Sequence, residues 1–233
     1  MSQNSLDYPL DRYRSLIDKT ADLIIQKFET MDDQKAYAGL SPTEVRGWFD
    51  ESVPEAGMEP ELLLDIVKEK VLDTATLNMA PKMFAYVMSG GNHISTLAEM
   101  IATTINQNVG KWHLAPIMSE LERRVVQWGS DFVGFGDDVG GVLVSGGSGA
   151  NLTCLTVARN VFFEEYGIRK KGLFGMKPFT VYGSSETHGC VDKSMELLGI
   201  GTDNYRKIAI NRDWTIDLIA LKAQIEQDIE DGY

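Results

Sequence analysis

The chain reads as an α/β protein with a helical N-terminal segment, and three observations carry that reading. Between Gly140 and Arg159 (GGVLVSGGSGANLTCLTVAR), and again between Phe179 and Leu198 (FTVYGSSETHGCVDKSMELL), a short apolar β-prone run breaks at small residues and resumes at helical spacing. Both stretches read as strand, loop, helix. The first eighty residues place their apolar side chains at helical intervals and carry no strand pattern. Finally, a strand pattern at Lys207 to Ile210 leads into an amphipathic helix from Trp214 to about Ile229, with no further strand after it. A crossover helix covers sheet on both sides of its path, so the pattern predicts about three parallel strands and a unit that is incomplete without a C-terminal half. The expected segments are 1–80, helical; 81–135, loops and helices leading into the large domain; and 136–233, the first part of that α/β domain.

In chain order, Leu10, Tyr13, Leu16, Ile17, Ala21, Ile24, Ile25 and Phe28 form one wide apolar stripe on a first long helix. That stripe must dock, either on the chain's own sheet or on another copy. Ser41, Pro42 and Glu44 make a capping-box pattern with proline at the first helical position, which opens a short helix through Trp48. A further helix is expected from Glu59 to about Leu72. Pro81 to Gly91 is aperiodic and reads as an ordered loop before a helix from about His93 to Asn108. Lys111, Trp112 and His113 precede a helix opened by Pro116 and running through Trp128. The turn-rich GFGDDVGG (Gly134 to Gly141) then leads to the first expected strand, Val142 to Val144. Leu152, Leu155, Ala158 and Phe162 give the next helix a face for the sheet, and Arg169, Lys170 and Lys171 read as a solvated connection.

Composition narrows the function classes. The net charge of -12 argues against nucleic-acid and anionic-membrane partners, yet it permits a local anion site built from backbone dipoles. The start has no apolar core of signal-peptide type and no later run approaches a membrane span, so the expected compartment is the cytoplasm. Cys154 and Cys190 have no metal spacing and are expected to be buried free thiols; His93 and His113 read as ordinary histidines, and no metal site is expected. The small residues Gly146, Gly147, Ser148 and Gly149 leave room for a ligand at the N-terminus of the following helix, where free N–H groups and the positive dipole end favour an anion such as phosphate. His188, just after the second strand, is expected at the same sheet edge.

SGGSGAN followed by YGSSETHGCVDKSMELLGIG resembles the group II pyridoxal-phosphate-dependent amino acid decarboxylases, which include aromatic amino acid, histidine, glutamate and cysteine sulfinate decarboxylases. SPTEVRGWF, PKMFAYVMSG and WHLAPIMSELERRVVQW extend the resemblance upstream in the right order. It implies the first part of the large domain of a type I pyridoxal-phosphate-dependent transferase, with Gly147 and Ser148 on the cofactor phosphate and His188 stacked on its ring as the catalytic residue. It also implies that Phe84, Tyr86, Val87 and Ser89 line the substrate pocket, with Lys111 and Trp112 approaching it. Family members for bulky aromatic substrates tend to carry an aromatic residue where Val87 stands, and Gly149 replaces the family's usual glutamate.

The resemblance further implies that the aspartate at the pyridine nitrogen and the Schiff-base lysine lie beyond Tyr233. The chain is thus expected to be the N-terminal part of a decarboxylase acting on a small amino acid, completed by a C-terminal half and paired with a second copy. The alternative is a noncatalytic or degenerate binding subunit on the same fold. A nucleotide-binding Rossmann domain fits poorly, since SGGSGAN is not GxGxxG and no acidic residue ends the second strand.

Overall fold

A computed structural model describes residues 7–233, which divide into two compact units, the first ending at Asn106 and the second spanning Gln107–Tyr233. The division falls within the segment 81–135 that the sequence reading set between the helical and α/β parts.

The first unit is helical. Helix α1 (Leu10–Thr30) follows Pro9; its stripe has no fully buried residue, with Leu10 82% exposed. Leu16, Ile24 and Phe28 instead line an open apolar groove with Leu97 and Met100. Helix α2 (Pro42–Gly47) starts as the capping pattern predicts, Ser41 Oγ accepting the Glu44 N–H at 3.2 Å. Helix α3 (Pro60–Val67) continues into a π turn at Lys68–Leu72. Arg12 of α1 reaches Glu59 and Glu61 at its start, at 2.6 and 3.1 Å. Helix α4 (His93–Ile105) is capped by Asn92, whose side chain accepts the Ser95 N–H at 2.9 Å. It stops short of the expected Asn108 because Asn106 turns left-handed, at φ 44°. His93 packs edge-on against Phe28 while staying exposed.

The second unit contains helix α5 (Pro116–Val133), opened by Pro116 and ended by left-handed Gly134, then α6 (Gly147–Phe162) and the short α7 (Ile168–Lys171). Strand β1 (Val181–Ser184), helix α8 (Cys190–Leu197), strand β2 (Tyr205–Ile208) and helix α9 (Leu218–Glu230) complete it. Strands β1 and β2 pair in parallel, Val181 opposite Tyr205 and Ser184 opposite Ile208. A small core of Met195, Ile200 and Tyr205 is closed by Leu155, Phe179, Val181, Val191 and Leu198.

Several expectations are corrected here. Val142 to Val144 forms no strand: among the described residues it has no ladder partner, and its side chains are exposed. Among the described residues the sheet therefore has two strands, not three. The second expected strand begins two residues after Phe179 and the third two residues before Lys207, because the parallel ladder starts at the Val181 and Tyr205 pair. Helix α9 starts at Leu218, since Trp214 is left-handed (φ 67°) and Ile216 bridges back to Ile210, so the cap falls to Asp217. Phe162 is 80% exposed, and Phe163 packs on Phe179 in its place. Cys154 is exposed; only Cys190 is buried. Arg169, Lys170 and Lys171 are exposed, as expected of a solvated connection. Among the described residues no helix is long and apolar enough to cross a membrane.

Candidate active site

The site is built on the N-terminus of α6. Gly146 has φ +86°, a left-handed conformation that L side chains rarely adopt, and this turn aims the chain directly into the helix. The first helical bond, Ala150 N–H to Gly146 carbonyl, closes at 3.2 Å. The N–H groups of Gly147, Ser148 and Gly149 precede it and have no acceptor within the helix. Among the described residues no side chain caps this end, and a Cβ placed on Gly146 or Gly147 would meet nothing within 4 Å. The result is an open corner of peptide donors at the positive end of a 16-residue helix.

His188 lies on the turn between β1 and α8, and its Nδ1 accepts the Cys190 N–H at 3.1 Å. The ring thereby satisfies one of the orphan donors at the start of α8 while staying exposed. Asn151 connects this turn to the glycine corner. Its Nδ2 donates to the Gly147 carbonyl at 3.0 Å and to Cys190 Sγ at 3.2 Å. The Asn151 to Cys190 bond thus ties the turn that bears His188 to the helix that begins with Gly147 and Ser148. Asn151 was not among the residues singled out in the sequence. The signal was present: an asparagine one turn into a helix is unfavourable unless its amide finds local backbone partners.

The remaining predicted residues are distributed over both units. Phe84, Tyr86, Val87 and Ser89 occupy the loop before α4 in the first unit, with Phe84 92% and Tyr86 87% exposed. Tyr86 is held at φ 66°, a conformation costly for a bulky residue, on the order of 1 kcal/mol or more. Lys111 and Trp112 belong to the second unit, on the turn before α5. Trp112 donates from Nε1 to Glu120 at 3.0 Å, and Glu120 also accepts from Arg123 at 2.8 Å. Arg123, then Trp112, hold the Glu120 carboxyl below its ordinary range. Among the described residues there is no cluster of His, Cys, Asp or Glu fit for a metal ion.

Comparison with known proteins defines the class. Residues 42–233 match the pyridoxal-dependent decarboxylase conserved domain, and the chain belongs to that family. It is 29% identical over its whole length to an aromatic-L-amino-acid decarboxylase of Bacillus atrophaeus, covering 46% of that enzyme. It is 26% identical to tyrosine decarboxylase 2 of Narcissus pseudonarcissus, over 96% of this chain and 46% of that one. The chain therefore spans about half the length of the curated relatives it matches. Among solved structures, mouse CSAD shares the fold at a TM-score of 0.87 (20% identity, 97% of this chain, 47% of that one). Oryza sativa TDC with PLP and tryptamine does so at 0.85 (21% identity, all of this chain, 48% of that one). The fold is thus part of the α/β fold of pyridoxal-phosphate decarboxylases, and pyridoxal phosphate is the family's cofactor. The uncapped corner at α6 fits the phosphate of that group, because it offers converging N–H donors and space that no side chain fills.

Proposed function

We propose that this chain is the N-terminal part of a pyridoxal-phosphate-dependent L-amino acid decarboxylase. The observation that carries the reading is the linkage, through Asn151, of an uncapped helix N-terminus to the turn bearing His188. The N–H groups and hydroxyl of Gly147 and Ser148 hold the phosphate; the helix dipole complements its charge. His188 would face the bound cofactor and would orient the reacting carboxylate or move a proton there. When bound, the cofactor supplies the conjugated electron sink for the electron pair left as carbon dioxide departs.

The same reading assigns Phe84, Tyr86, Val87 and Ser89 to recognition of the amino acid side chain in the assembled enzyme. Lys111 pairs with a substrate carboxylate, and Trp112 is a further lining group. A C-terminal half supplies the Schiff-base lysine, and a second copy of the unit covers the α1 stripe. The location is the cytoplasm.

The experiment is to purify the chain together with its completing half, then record cofactor absorbance and carbon dioxide release from a panel of L-amino acids. Bound cofactor and turnover support the reading. A completed protein that retains no pyridoxal phosphate overturns it.

A further inference from the structure

We infer that Asn151 is a positioning residue that, with Cys190, holds His188 in one tautomer beside the phosphate corner. The inference rests on the proposed cofactor site and names residues which that proposal does not use. A side-chain amide carries two hydrogens, and Asn151 spends them on two acceptors from different elements, the Gly147 carbonyl of α6 and the Cys190 thiol of α8. Cys190 is 6% exposed, so the sulfur is a fixed partner within the α6 and α8 packing. The same residue's N–H occupies the His188 Nδ1 lone pair at 3.1 Å. A neutral ring whose Nδ1 accepts must carry its proton on Nε2.

The consequence is directional. With Nδ1 engaged by the backbone, the exposed edge of the ring is an Nε2–H donor, suited to an anionic carboxylate. The turn at residues 188–190 that carries this bond is tied to the first turn of α6 through the Cys190 sulfur. Asn151 is the side chain that spans the two. Without it Nδ1 loses its fixed donor, and the ring samples both tautomers and more than one orientation.

The test reads the tautomer directly. The 233-residue chain has three histidines, so nitrogen NMR of its imidazoles, with this chain alone isotope-labelled and paired with its completing half in the absence of cofactor, and with His188→Gln to identify the signal, resolves His188. The native chain is expected to show a single Nε2–H form, and Asn151→Leu a mixture of the two tautomers. Cys190→Ser, which keeps an acceptor for Asn151, should restore the single form that Cys190→Val loses; this pair serves if Asn151→Leu does not fold. In the completed enzyme, Asn151→Leu should lower kcat about tenfold or more with a smaller change in KM, as for a group acting on the reacting centre. One unchanged tautomer in both Asn151→Leu and Cys190→Val overturns the inference. Because the NMR measurement needs no cofactor, its outcome is independent of whether the completed enzyme binds pyridoxal phosphate, which judges the decarboxylase reading alone.

Discussion

Asp228, in the last turn of α9, is held by Arg206 of β2: Oδ1 accepts from Nε at 2.9 Å and from Nη2 at 2.7 Å. The other oxygen accepts the Tyr182 hydroxyl of β1 at 2.8 Å, so one carboxylate fastens α9 to both strands. Its side chain is only 3% exposed. Arg206 is fixed in turn by the Asp203 carbonyl and by the Tyr233 ring, whose centroid lies 4.9 Å from its guanidinium carbon. The Arg206 bonds hold the Asp228 carboxyl below the usual carboxylate range against the opposing effect of burial, and burial pushes the Tyr182 phenol up.

Removing that carboxylate leaves a cation without its partner. Asp228→Ala is expected to destabilise the second unit by roughly 3 kcal/mol, the cost of breaking a largely buried pair, read from the denaturant midpoint. A group with a depressed folded pKa stabilises above its unfolded value, near pH 4, and that contribution disappears as the pH falls through the folded value. The difference between native and variant should therefore shrink on acidification below about pH 4. A difference that stays constant from neutral pH to pH 2 would contradict the assignment.

Gly183 of β1 lies over the buried Tyr205 ring, and a Cβ there would stand 2.1 Å from the Tyr205 hydroxyl oxygen. Gly183→Ala should cost about 1–3 kcal/mol through forced overpacking. Among the described residues that hydroxyl has no hydrogen-bond partner. Tyr205→Phe should accordingly be close to neutral by itself, and it should recover part of the loss when combined with Gly183→Ala. Thermal unfolding of the three variants measures both effects.

Ser148→Glu places a negative charge at the open N-terminus of α6, in the space proposed for a phosphate. The completed enzyme should then lose its cofactor on desalting. Unchanged occupancy would show that the phosphate sits elsewhere.

His188→Ala should leave the phosphate corner intact, since the ring contributes no bond to Gly147 or Ser148. Turnover of the completed enzyme should fall on the order of 100-fold or more, as for loss of a positioned acid-base group, with the cofactor still bound. Activity within a few-fold of the native enzyme would mark His188 as a cap of α8 alone.

The sequence by itself determined the elements whose signals are local. The α1 stripe, the Ser41 cap with Pro42 behind it, the Pro116 start and the glycine turn into α6 each depend on interactions within a few residues, so each was legible in the chain order. The motif order likewise set the family, because Gly147, Ser148 and His188 sit in ordered stretches that match over most of the chain.

Tertiary structure decided what depends on partners distant in sequence. Val142 to Val144 has strand composition, but a strand exists only when a neighbour completes its ladder, and no described residue does so. The start of α9 was set by the turn that pairs Ile210 with Ile216, a contact that apolar periodicity does not encode. Asn151 and Cys190 lie 39 positions apart, as do Arg159 and the Leu198 carbonyl it bonds. Their meeting follows from α6 packing on α8 over the Met195 core. Hydrogen-bond partners across such separations are fixed by the docking of apolar faces, so the residue types were visible in the sequence while their pairing was not.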